Sequence, residues 1–115
     1  MSDKTVQEKS KKFAVRIVGL YKYLTEKKKE KVMSVQVYRS GTSIGANIAE
    51  SDYAISKADF VNKTQIALKE AAETKYWIDL LYETNYVTEE QYNSLNFDCQ
   101  ELLKILTSIL NTAKK

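Results

Sequence analysis

With 115 residues, 43% apolar, 29% charged and a net charge of +3, the chain has the balance of one soluble globular domain spanning residues 1–115 rather than of a disordered or membrane protein, and it leaves no room for a second core. No apolar run reaches membrane-spanning length and the opening MSDKTVQEKSKK lacks the apolar stretch of a signal peptide, so a cytoplasmic protein without membrane contact is expected. The absence of histidine removes the commonest general base, the histidine-dependent triads and the Glu-x-x-His ligand pairs of metal-binding bundles, while the lone Cys99 reads as a small core hydrophobe.

Proline is absent and there are only three glycines, so long helices are the natural reading. Helix one is predicted over residues 3–27, with Phe13, Ile17, Leu20 and Leu24 as its buried stripe. The basic residues concentrate here: residues 1–31 hold ten Lys and Arg against four Asp and Glu, net +6, whereas residues 32–115 hold eight against eleven, net −3. Lys9, Lys12 and Arg16 share one side of the helix, and Lys22, Lys27, Lys28, Lys29 and Lys31 continue to the turn KKKEK at 27–31. These eight are the candidate contacts to an anionic partner, RNA or DNA first. A lysine-rich, arginine-poor set suits sequence-independent phosphate contact that weakens with salt. A solvated face that aids solubility is the competing reading.

Helix two runs from that turn to about Asp52 and contains VYRSGTSIGANIAE, residues 37–50. Its two glycines do not make a phosphate loop, because Ala46 rather than Lys follows Gly45 and the flanks read as helix. Val37, Gly41, Ile44 and Ile48 instead line one face, with Gly45 at its edge, and the pair predicts a neighbouring backbone that needs the room. Arg39, Ser43 and Glu50 fall on the opposite side.

Helix three begins at Ser56, where SKAD approximates a capping box with Asp59 reaching back. Its core stripe is Phe60, Thr64, Ala67, Ala71, Thr74, Ile78 and Leu81, small in the middle. Its other side carries Ile66, Glu70, Glu73, Trp77 and Leu80, an apolar patch among carboxylates that predicts a covering partner, most simply a second copy. Three readings compete for the charges: a carboxylate metal or acid–base site, an Arg39 pairing with Glu50, Glu70 or Glu73 across a helix or subunit contact, and independent solvated charges. The arginine pairing accounts best for Trp77 and Leu80 lying among them. Asn85 stops helix three, and Thr88-Glu89-Glu90-Gln91 caps helix four, whose stripe is Leu95, Cys99, Leu102, Leu106 and Ile109. The expected fold is all-α, an antiparallel up-and-down four-helix bundle.

Taken together, FAVRIVGLYKYL, VYRSGTSIGANIAES, DFVNKTQIALKEAAETKYWIDLL and ELLKILTSILNT resemble the bacterial four-helix-bundle proteins encoded in intervening sequences of 23S ribosomal RNA genes. These are similar in shape to the accessory protein of diversity-generating retroelements, a positively charged homopentameric barrel that binds nucleic acid and the reverse transcriptase. The resemblance implies a cytoplasmic homopentamer with no known catalytic activity and no cofactor. It carries over at Arg39, Ser43, Asn47, Glu50, Phe60, Glu70, Glu73, Tyr76 and Trp77 as fold or assembly positions; many relatives have proline where this chain has Gly45. A protein–protein adaptor without nucleic-acid affinity fits the same pattern.

Overall fold

In the computed structural model, residues 4–113 are described, and they form α1 (Lys4–Glu26), α2 (Met33–Ser51), α3 (Lys57–Glu83) and α4 (Glu89–Ala113). The start predicted for the first helix, residue 3, lies outside the described residues. Each turn has a local cause. After α1, Lys29 adopts the left-handed conformation (φ 57°) and the Glu30 N–H donates back to the Leu24 carbonyl at 2.9 Å. Glu30 then turns inward, only 7% exposed, and its carboxylate accepts from the N–H groups of Val32, Met33 and Ser34 at 3.0, 2.9 and 2.7 Å. The acid inside the lysine run is thus the cap of α2, satisfying donors that the helix start leaves unpaired.

Ser56 caps α3 by accepting the Asp59 N–H at 3.0 Å, but the Asp59 carboxylate accepts from Ile55 at 3.2 Å, one residue before the expected cap amide. Asn85 ends α3 in the left-handed region (φ 68°) with the Tyr86 N–H donating to the Leu81 carbonyl at 2.8 Å. Thr88 and Gln91 then form the full reciprocal box, each side chain accepting the other's backbone N–H at 3.1 and 2.8 Å.

The helices make an antiparallel bundle in which α1 packs on α2 and α4, and α3 packs on the same two. The predicted stripes form its core, with Val6, Val87 and Leu110 added. Leu110 rather than Ile109 is the fully enclosed residue at the end of α4, and Phe60 is half-buried. Gly41 and Gly45 both face α1: a Cβ on Gly41 would stand 2.7 Å from Ile17 Cγ1, and one on Gly45 would stand 3.3 Å from the Ser10 carbonyl oxygen. On its other flank α2 meets the small middle of α3, where Ser40 and Thr74 hydroxyls lie 2.9 Å apart in the buried interior and Thr74 donates to the Glu70 carbonyl at 2.7 Å. Cys99 is core, its thiol donating to the Ala71 carbonyl at 3.5 Å. Burial pushes that thiol up to about 12, so the neutral form is held.

Candidate functional site

The outer face between α2 and α3 is organised around Glu73. Its Oε2 accepts from Arg39 Nη2 and from Trp77 Nε1, both at 3.0 Å, while the same guanidinium nitrogen also donates to Gln36 Oε1 at 3.0 Å. Of the three carboxylates the spacing offered to Arg39, the structure selects Glu73, across the α2–α3 seam within one subunit. Glu50 pairs instead with Lys63 at 2.8 Å, and that hydrogen bond raises the lysine pKa from its ordinary value. Glu70 keeps one carboxylate oxygen, Oε1, shielded from solvent without a protein donor. Ser43 donates to the Arg39 carbonyl at 2.7 Å, which fixes its hydroxyl to its own helix. Glu50, Glu70 and Glu73 therefore do not converge, and among the described residues no group of three or more acids or cysteines is placed to hold a metal.

The apolar members of this face sit deeper than a helical wheel suggests. Ile66, Trp77 and Leu80 are half-buried, with Trp77 packed against the core and Tyr76 exposed beside it, the rings edge-on at 5.0 Å. Larger exposed apolar side chains occur elsewhere. Val32, Val35 and Tyr38 follow one flank of α2, and Tyr53 and Ile55, 86% and 93% exposed, tip the α2–α3 turn.

The basic strip divides into two groups. Lys9 and Arg16 are partnered along the α1–α4 seam: Lys9 with Glu101 at 3.1 Å, and Arg16 with Asp98 at 2.7 Å and with the Ser94 hydroxyl at 2.9 Å. Lys12, Lys22, Lys27, Lys28, Lys29 and Lys31 are exposed and, among the described residues, form no ion pair. Lys28 rests its ammonium 5.9 Å above the Tyr23 ring. With Glu30 consumed as a helix cap, the unpaired lysines gather at the α1–α2 turn.

Sequence reasoning passed over one polar cluster. Lys75 grips both oxygens of Asp79 at 3.0 and 3.1 Å, and the Tyr92 hydroxyl donates to Asp79 at 2.7 Å with Tyr82 stacked on its ring at 4.6 Å. The hydrogen bond to Asp79, then burial, raises the Tyr92 pKa. Burial pulls Lys75 downward, but the bond and charge of Asp79 outweigh it and the net direction is up. The i,i+4 spacing of Lys75 and Asp79 was the available signal, whereas Tyr92 arrives from another helix. This cluster ties α3 to α4. At the terminal end of the bundle, a cleft of about 350 Å³ is lined by Val6, Ile48, Phe60, Leu106 and Ile109, and its one carboxylate, Asp52, accepts from Gln7 at 2.9 Å.

No described helix is long and apolar enough to cross a membrane. The model of the family described as 23S rRNA-intervening sequence protein matches residues 2–108. Among solved structures, the chain is 58% identical to a protein of unknown function from the S23 ribosomal protein family of Bacteroides thetaiotaomicron VPI-5482, covering 96% of this chain and 99% of that one with a TM-score of 0.94. No curated protein matches.

Proposed function

Because this chain belongs to the 23S rRNA-intervening sequence protein family, we propose that it is a non-enzymatic bundle that assembles into a homo-oligomer, a pentamer, and binds RNA or DNA through backbone phosphates. The observation that carries the nucleic-acid reading is the α1–α2 turn, where Lys22, Lys27, Lys28, Lys29 and Lys31 are exposed without ion-pair partners among the described residues. Each can neutralise a phosphate and release a counterion. Lys9 and Arg16 already serve Glu101 and Asp98, so their contribution to an anionic ligand is secondary. Assembly is supported by the incompletely covered Ile66, Trp77 and Leu80 and by the unpartnered Glu70 oxygen on one face. Copies arranged in a ring repeat the lysine turn and concentrate its potential.

Light scattering tests the first half, with a monomer at micromolar concentration counting against assembly. A salt series of RNA and DNA binding tests the second: affinity should fall steeply with salt, and no binding at low salt would remove the nucleic-acid role. One observation favours a second reading, a protein–protein adaptor. Tyr53 and Ile55 project almost wholly into solvent at the α2–α3 turn, as anchors for a protein partner do.

A further inference from the structure

The turn lysines adjoin an aromatic and apolar strip that phosphate contact alone does not use. Tyr21 of α1 and Tyr38 of α2 meet with ring centroids 4.9 Å apart, tilted by 47°, so the Tyr38 ring is braced from the neighbouring helix while 41% of the residue stays exposed. Val32 and Val35 precede it on the same flank, also exposed. From Met33 to Ala49 α2 contains no Asp or Glu, and its one charged residue is Arg39. Tyr38 stands about 8 Å along the helix from Met33, roughly one nucleotide step beyond the lysine turn. Lys22 follows Tyr21 on the facing helix. An anion approaching this strip meets lysines around the one acid Glu26 at one end, no acid on α2 before Glu50, and a fixed ring.

We propose that this flank is a binding site for single-stranded nucleic acid, in which an unpaired base stacks on Tyr38, braced by Tyr21, while Lys22, Lys28, Lys29 and Lys31 hold the adjoining phosphates. The inference rests on the nucleic-acid reading above and narrows it. A duplex hides its base faces, so an exposed ring rewards only an unpaired base. Every base has a stacking face, and Arg39, next to Tyr38 in the chain, is engaged by Gln36 and Glu73 rather than free to read a base edge, so the site selects strandedness rather than sequence. An acidic helical peptide is the other ligand such a strip could take, and it serves as a comparison in the test.

The experiment is fluorescence anisotropy at low salt with a short unstructured labelled oligoribonucleotide, its duplex of equal length, and a labelled acidic peptide. The single strand should bind about tenfold more tightly than the duplex. Tyr38→Ala should remove that margin and leave duplex binding unchanged, and Tyr38→Phe, which keeps the ring and the fold, should retain it. Lys28→Gln, Lys29→Gln and Lys31→Gln together should weaken both nucleic acids and lower the salt slope by about one per lysine. Equal affinity for strand and duplex, indifferent to Tyr38→Ala but sensitive to the lysines, overturns this site while the charge reading stands. Binding of the peptide alone, or of nothing, overturns both.

Discussion

One carboxylate oxygen, Oε2 of Glu73, takes hydrogen bonds from Arg39 and Trp77 at the same distance, 3.0 Å. Trp77 is the sole tryptophan of the chain, so its fluorescence reports on this seam directly. Glu73→Gln should shift the emission and lower stability by about 1 kcal/mol, a small figure because the Arg39 side chain is about half exposed at 54%. A double-mutant cycle with Arg39→Ala and Glu73→Ala should give a coupling of roughly 0.5 kcal/mol. Emission and stability both unchanged in Glu73→Gln would mean the bonds do not persist in solution.

The α1–α2 turn predicts two opposite outcomes from neighbouring residues. Lys29 holds φ 57° without being glycine, so Lys29→Gly should raise stability by about 0.5–1 kcal/mol. Glu30→Ala strips three N–H groups of their acceptor and should cost about 2 kcal/mol. Urea denaturation of the two variants checks both signs.

Gly41→Ala places a methyl group against Ile17, 2.7 Å from Cγ1 and 2.9 Å from Cγ2. The expected loss is about 1–3 kcal/mol, partly recovered in the Gly41→Ala/Ile17→Val double variant, because shortening the isoleucine frees part of the space. At Gly45 the nearest atom is backbone at 3.3 Å, a milder conflict that the gain in helix propensity of about 1 kcal/mol offsets, so Gly45→Ala should be nearly neutral. Thermal unfolding distinguishes the two positions.

Cys99 sets the alkaline limit of the fold. Burial pushes its thiol up from 9.0 to about 12, so the native state holds a proton that the unfolded chain releases. Stability from this group is complete below pH 9 and is lost as pH climbs towards 12, on the order of 4 kcal/mol over that window. The raised pKa values of Tyr92 and Lys75 act in the same direction above about pH 10. Cys99→Ala should flatten the alkaline limb of a stability–pH curve. In the folded wild type at pH 8 a thiol reagent should react slowly, and in denaturant rapidly.

Local chemistry was readable before the fold was known. Thr88 and Gln91 lie three residues apart and satisfy each other wherever the chain goes, and the 3,4 spacing of Phe13, Ile17, Leu20 and Leu24 requires only a helix. The two glycines announced a close neighbour but not which one, since α1 and α3 both flank α2. Glu30 was hidden because its role depends on the left-handed step at Lys29, which nothing in KKKEK signals. Lys9 and Arg16 read as free cations for a similar reason: their acids come from α4, 92 residues further on in the case of Lys9 and Glu101. A helical wheel likewise turned Trp77 outward at full radius, whereas in the fold it packs partly against the core.

The inward turn of Glu30 also changes what an approaching polyanion encounters. Counting letters between Lys27 and Lys31 yields four cations and one anion. Folding withdraws the Glu30 carboxylate from solvent and turns it onto amide hydrogens, leaving four lysines against the single exposed acid Glu26 on the solvent side of that corner. A formal total of +3 thus understates the field at one end of the bundle, because eleven of the fifteen acids lie in residues 32–115.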